Sequence, residues 1–339
     1  MTFEVREAGE GDEEAIAALH RASPDGGAVR FRVITHARES GGRSRSVVAV
    51  DGGRVVGAAT VSLGDFRYAG QVRPYALLGS LTVDPGHRRQ GIGAALARWR
   101  IECAEKLSGS EVVVLANIQK GNAGSLAAAR RWATAFTSPA VSVPVPMRRR
   151  PPGPVDGLTF RSGVDDLTQI VDGFTAFTAD HDFARVFDAE SLRAWLTATP
   201  VPVPVHHYRV AVDGDGAVVA GLALREEGLL HTMQLVHMPV AIRVANVALR
   251  VVPKDGRLRN LGVEHLWFAP GRIDAARALW EDTRWSWRDR GTGLLVTVDP
   301  RSPAVGVLRL RPWTPTTSVT TAVRADPPLD PARIFAPLT

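Results

Sequence analysis

The sequence predicts an α/β (α+β) protein made of two tandem units of like design. Three observations carry this. The apolar run Leu77-Leu78-Gly79-Ser80-Leu81-Thr82-Val83 passes through a turn into a two-glycine loop and then a helical pattern. Two tight turns, Asp51-Gly52-Gly53 and Asp213-Gly214-Asp215-Gly216, each join a pair of strand-like runs. The second turn lies beyond a proline-rich stretch, and the order of elements around it repeats the order in the first half.

The first unit reads as follows. Phe3 to Arg6 alternates like a strand, and Asp12 to Ala22 is helical with acidic residues in its first turn, where they suit the helix dipole. Ser46 to Val50 and Arg54 to Leu63 are hairpin partners across Asp51-Gly52-Gly53. Pro74 to Val83 is the next strand, Ala94 to Ile101 lies on the helix after the loop, Glu111 to Ala116 is a further strand and Asn122 to Ala133 a final helix. Pro139, Pro144, Pro146, Pro151, Pro152 and Pro154 then favour an extended, semi-rigid connector. The expected division is a first domain over 1–147, a linker over 148–157 and a second domain over 158–339, with Ala140 to Met147 a candidate last strand of the first.

The second unit restarts with Leu158-Thr159-Phe160-Arg161 and a helix over Asp165 to Phe177. His207 to Val212 and Ala217 to Arg225 flank the second tight turn. Leu261 to Phe268 is the counterpart of the strand before the loop, followed by a helix over Ile273 to Trp287 and a strand over Leu294 to Val298. Where the loop belongs, the chain reads Phe268-Ala269-Pro270-Gly271-Arg272-Ile273-Asp274, with one glycine.

Arg88-Arg89-Gln90-Gly91-Ile92-Gly93 has the makings of an anion site. Helix N-termini present unpaired N–H groups and partial positive charge. Glycines lack the Cβ that would hold a phosphate off the backbone. A dinucleotide-binding loop would need Gly or Ala where Leu96 stands, and a kinase-type loop would need Gly-Lys-Ser/Thr. The pattern Val83-x-Pro85-x-x-Arg88-x-x-Gly91-x-Gly93 closely resembles the acyl-CoA pyrophosphate loop of the GNAT acetyltransferase superfamily, and the element order resembles its core. The whole chain resembles a tandem GNAT with a degenerate second domain. The resemblance implies a mixed, mostly antiparallel sheet flanked by helices in each domain. It also implies an N-acetyltransferase that passes an acyl group from acetyl-CoA, or another short acyl-CoA, to a primary amine of a small molecule or peptide.

The resemblance assigns the diphosphate to the backbone around Arg88, Arg89, Gln90, Gly91, Ile92, Gly93 and Ala94, with Asn122 nearby, and the pantetheine arm to Leu81, Thr82 and Val83. It implies a tyrosine seven residues after Asn122, but Ala129 stands there. Ser125, one helical turn earlier, and Tyr75 or Tyr68 are substitutes for the general acid. No carboxylate lies on Tyr75 to Val83, which leaves Asp65 as the nearest candidate base. A non-catalytic acyl-CoA sensor or scaffold is the competing expectation. His231, His237 and Glu264 interrupt apolar strands of the second unit and are candidate acceptor-binding residues. The segment between Ala28 and Gly42 is the alternative wall.

The chain has 339 residues, 45% hydrophobic and 22% charged, and a net charge of +6. The basic residues are nearly all arginine and are spread out, which argues against a nucleic-acid partner. Cys103 is the single cysteine, so no disulfide forms within the chain. His206, His207, His231, His237 and His265 fit no zinc spacing, and no metal is expected. No apolar run approaches a membrane span and Met1 to Arg6 has no leader pattern, so a cytoplasmic monomer or homodimer is expected.

Overall fold

The computed structural model describes residues 3–22, 30–36, 44–249, 252–310 and 314–338. The first half runs β1 (Glu4–Glu7), α1 (Glu13–Ala22), β2 (Arg30–His36), β3 (Ser44–Asp51), β4 (Arg54–Tyr68), β5 (Gln71–Val83), α2 (Ile92–Ser108), β6 (Val113–Gln119), α3 (Ala123–Ala129), β7 (Ala135–Phe136) and β8 (Ala140–Pro146). The second begins with β9 (Leu158–Ser162), α4 (Leu167–Phe177), β10 (His181–Asp182), α5 (Ala189–Thr197), β11 (His206–Asp213) and β12 (Val218–Glu226). It continues with α6 (Glu227–Leu230), β13 (His231–His237), α7 (Val240–Leu249), β14 (Arg257–Leu258), β15 (Asn260–Phe268) and α8 (Ile273–Ser286). It ends with β16 (Gly293–Val298), α9 (Val305–Leu308), β17 (Thr317–Arg324) and β18 (Ile334–Phe335).

Local chemistry explains the hairpins. Gly52 and Gly53 both take positive φ, as the two-residue turn between antiparallel strands demands, and Asp51 pairs with Arg54 across it. In the second hairpin Gly216 takes positive φ, and the Asp213 carboxylate accepts the N–H groups of Asp215 and Ala217.

One continuous sheet runs through both halves in the order β1-β3-β4-β5-β6-β17-β8-β16-β15-β12-β11-β9. It is mostly antiparallel, with parallel pairs at β5–β6 and β15–β16. The candidate last strand of the first unit, β8, does not lie beside β6. It pairs with β16 of the second half, and β17, from the C-terminal region, fills the place between β6 and β8. Each half therefore completes its sheet with a strand from the other. A small second sheet adds another link, because β13 pairs with β2, from His231 opposite His36 to His237 opposite Arg30.

The core follows the sheet. On one face of the first half Val61, Ala76, Leu78 and Val114 pack under Ile101 and Ala104 of α2. On the other, Phe66, Tyr68, Tyr75 and Leu115 pack against Phe183 and Phe335. The Tyr68 hydroxyl donates to the Pro327 carbonyl at 2.8 Å, and burial pushes its pKa up to about 12. In the second half Trp280 and Leu279 of α8 are fully buried under β12, β15 and β16.

Candidate functional site

Two irregularities in β5 shape the site. Its antiparallel ladder with β4 runs Ala58 to Thr82, then Thr60 to Gly79, so Ser80 and Leu81 together oppose Ala59. This is a β-bulge, and Ser80 carries its strain at φ 50°. On the other side, the parallel ladder between β5 and β6 ends at Leu77 opposite Leu115, although β5 continues to Val83 and β6 to Gln119. The two strands splay. Backbone groups of Leu78 to Val83 on that edge are left to pair with something other than β6.

A buried arginine holds the bulge. Arg100 of α2 is 3% exposed and donates from Nη1 to the carbonyls of Thr60 at 3.1 Å and Gly79 at 3.0 Å, and from Nε to Leu96 at 3.2 Å. Burial lowers its pKa to about 10. Three carbonyls, rather than a carboxylate, satisfy this cation and tie the helix to the bulge.

The glycine loop follows. The Asp84 carboxylate accepts Gly86 N–H at 2.9 Å and Arg54 Nη2 at 2.9 Å, and pairs with the His87 ring at 3.1 Å. The His87 contact, with help from Gly86 and Arg54, holds the Asp84 carboxyl below its ordinary pKa. Arg89 and Gly91 both take positive φ, at 63° and 87°, so the chain turns sharply into α2. Gly91 is its N-cap, and the first helical bond runs from Ala95 N–H to Gly91 C=O at 3.0 Å. The N–H groups of Ile92, Gly93 and Ala94 precede that bond. Arg88, Arg89 and Gln90 are exposed around them. Leu81 packs below, so that a Cβ on Gly93 would stand 3.9 Å from Leu81 Cδ2. Thr82 Oγ1 meets His20 Nδ1 of α1 at 3.1 Å, and the Val83 carbonyl accepts Arg88 Nε at 3.3 Å. Strand end, loop and helix start thus meet beside the splay.

The candidate catalytic residues lie apart. Ser125 stands in the first turn of α3, where its N–H donates to the capping Asn122 Oδ1 at 3.0 Å. Its hydroxyl has no partner among the described residues. Ala129 is buried against Ile118 and Ala322. Tyr75 sits at the closed end of the splay, stacked on Phe66 with ring centroids 4.9 Å apart, and its hydroxyl accepts Arg185 Nη2 at 3.4 Å. Asp65 is exposed on β4 opposite Pro74. The pleat puts it on the face of Val61 and Leu63, under α2, and away from the Tyr75 face.

In the second half, His231 lies 3.6 Å from Glu227, which also pairs with Arg225 at 3.2 Å. His237 is exposed at the far end of β13. Glu264 lies beside His265 at 3.7 Å and faces Arg185. Of the alternative wall between Ala28 and Gly42, β2 is described and pairs with β13, and the rest lies outside the described residues. Among the described residues no cluster of His, Cys, Asp or Glu stands ready to hold a metal ion, and no helix is long and apolar enough to cross a membrane.

Sequence reasoning missed three features. The bulge at Ser80 had a signal in Gly79, an isolated glycine inside an apolar strand. Arg100 had a signal, since it shares the buried helical spacing of Leu96 and Ala104. Arg185, which joins the halves at Tyr75, had none.

The second half repeats the bulge and the splay. The β12–β15 ladder passes from Gly221 opposite Trp267 to Ala223 opposite Glu264, and His265 takes φ 51°. The β15–β16 ladder ends at Val263 opposite Val296. His265 and Ser80 each stand three residues before the last residue of their strands. What the second half lacks is the two-glycine loop.

Residues 14–133 match the family model described as Acetyltransferase (GNAT) family. No curated protein matches the sequence. The fold is similar to N-myristoyltransferase of Saccharomyces cerevisiae with bound myristoyl-CoA, at TM-score 0.63 and 12% identity over 96% of this chain and 84% of that one. It is similar to a tandem GNAT protein from the clavulanic acid biosynthesis pathway, at TM-score 0.56 and 14% identity over 97% and 100% of the two chains. A GCN5-related N-acetyltransferase from Sphaerobacter thermophilus gives TM-score 0.55 and 17% identity over 94% of each chain. At these identities the likeness is one of fold, and it spans both halves.

Proposed function

From a GNAT-family domain at residues 14–133, we propose an N-acyltransferase that moves an acyl group from acetyl-CoA, or another short acyl-CoA, to a primary amine of a small molecule or peptide. The observation that carries this reading is the alignment of bulge, splay and glycine loop along β5. The N–H groups of Ile92, Gly93 and Ala94, with Arg88 and Arg89, suit a diphosphate. The free edge of Leu78 to Val83 suits a pantetheine arm lying as an added strand. The thioester carbonyl then falls near Ser80. The floor of the splay, where Tyr75, Val113 and Leu115 are packed, favours a short acyl chain.

In the reaction the neutral amine nitrogen attacks the thioester carbon, the C–S bond breaks, and the thiolate leaves with the electron pair. The proton lost by the new amide nitrogen goes to solvent or a base, and the thiolate needs a donor. The Ser125 hydroxyl, at the first turn of α3, is the candidate donor.

The buried Ala129 and the lack of a carboxylate on Gln71 to Val83 favour a second reading, an acyl-CoA-binding sensor. Thiol release from acetyl-CoA with a panel of primary amines separates the two. Amine-dependent release supports the transferase. Binding by calorimetry without release supports the sensor, and no acetyl-CoA binding at all defeats both.

A further inference from the structure

The second splay forms a half-open cavity of about 90 Å³ between β15, β16 and α4, bounded on one side by the segment around Phe335. An apolar cavity of about 150 Å³ holds benzene, so this volume takes a small polar head group, and a short body can extend through the open side. Phe177 and Val296 give it apolar walls. Its polar lining has spare donors. Arg185, with five N–H groups, makes one side-chain hydrogen bond among the described residues, to the Tyr75 hydroxyl. His181 Nδ1 and His265 Nε2 are buried without a hydrogen-bond partner, and His181 is 5% exposed. The acceptors are largely taken. Asp299 receives Arg301 Nη2 at 2.7 Å, Arg301 N–H at 2.9 Å and Phe335 N–H at 3.0 Å. Glu264 already faces Arg185.

Burial lowers the pKa of His181 and brings that of His265 down to about 3, so both rings are neutral near pH 7 and each bare nitrogen can carry a donating hydrogen. Two contacts join this cavity to the first cleft. Arg185 reaches Tyr75, and Leu338, which lines the cavity, accepts Asn117 Nδ2 of β6 at 2.6 Å through its carbonyl.

We propose that the second splay is a binding site for a small carboxylate with a short apolar body, held by Arg185 with His265 and His181 as further donors. Its role is to hold the far end of the acceptor, an amine whose other end is a carboxylate. That role rests on the acyl-transfer reading above; the binding itself does not. The lost phosphate loop fits this use, because such a ligand carries no nucleotide.

The test is calorimetric titration of the full chain with 4-methylpentanoate, 4-methylpentanamide and 3-methylbutylamine. The acid is expected to bind at least tenfold more tightly than the amide or the amine. Arg185→Gln should abolish that preference, Arg185→Lys should keep part of it, and His265→Asn should weaken the acid several-fold. Acetyl-CoA affinity, measured on the same samples, reports that the variants are folded and should not change. Equal binding of acid and amide, tighter binding of the amine, or a preference that survives both Arg185→Gln and His265→Asn would overturn the proposal. A chain that binds the acid but not acetyl-CoA would sink the acyl-transfer reading and leave this site standing.

Discussion

Ser125 and the buried histidines show how much one side chain can decide here. Ser125→Ala keeps the backbone N–H that Asn122 accepts, so the helix cap survives the change. If the hydroxyl protonates the leaving thiolate, it acts in the transition state, and kcat should fall by about 10²-fold or more. Acetyl-CoA affinity should stay within about twofold. Wild-type kcat in this variant would move the donor to Tyr75 or water. His206 and His265 make a second case. Burial lowers their pKa values from 6.5 to about 4 and about 3. The unfolded chain takes up protons below about pH 6.5 while the folded chain does not. Their contribution is therefore fully present above that pH and is lost as pH falls toward 4 and 3. Each group approaches about 1.4 kcal/mol per pH unit only well below pH 6.5, so between pH 6.5 and 5 these two should together cost roughly 3 kcal/mol in urea unfolding. The Asp12, Asp84 and Asp299 carboxylates, whose pKa values lie below the ordinary 3.8, lose their contribution only at lower pH. His265→Asn suits the left-handed backbone at φ 51° and should reduce the slope, with His206, His181 and His207, whose pKa values burial also lowers, carrying the remainder. An unchanged slope would show that His265 is solvated.

At the scale of elements, legibility followed sequence distance. The β3–β4 and β11–β12 hairpins were readable because the turn residues adjoin the strands they join. The strand, glycine loop and helix over Gln71 to Ser108 were readable for the same reason, since they are contiguous. The β2–β13 pair was not, because its partners lie in different halves and each strand gains its register from the other. Nor was β17, Thr317–Arg324, which lies beyond the last strand read from the sequence and pairs with β6 and β8 of the first half. The candidate catalytic side chains Ser125, Tyr75 and Asp65 come from separate elements, so no spacing could have gathered them. The loop–helix junction offers a controlled test. Gly91 and Gly109 cap the two ends of α2, both at φ 87° and both with open space where a Cβ would stand. Valine at either takes a positive φ without a clash. At Gly91, with ψ −5°, this is the left-handed region and costs roughly 1–2 kcal/mol, whereas at Gly109, with ψ 168°, it is a region almost confined to glycine and costs more. Gly91→Val should also displace the first-turn N–H groups and weaken acetyl-CoA at least tenfold, whereas Gly109→Val should lose at least as much stability at unchanged affinity. Equal affinity in both variants would take the diphosphate away from this loop.

For the whole molecule, the exchange of strands sets what can fold alone. The span 1–157 lacks β17, which pairs with β6 from Gln119 to Val114, and would leave Phe66, Tyr68 and Tyr75 without Phe183 and Phe335 above them. The span 158–339 lacks β8, whose six pairs with β16 run from Gly293 opposite Pro146 to Val298 opposite Val141. Each fragment would carry a bare sheet edge of apolar strands, which templates aggregation. The connector at Pro151, Gly153, Pro154 and Val155 is exposed and has no regular structure, so a break there removes little else. Cutting the gene between Gly153 and Pro154 should therefore give two fragments that are insoluble when expressed singly and that co-purify when expressed together. The reunited fragments should bind acetyl-CoA within a few-fold of the intact chain, because the loop and bulge lie wholly in the first fragment while the strand that backs them comes from the second. A first fragment that is soluble alone and binds acetyl-CoA with full affinity would show that β17 only decorates the first half. The exchange would then be no part of what holds the first cleft open.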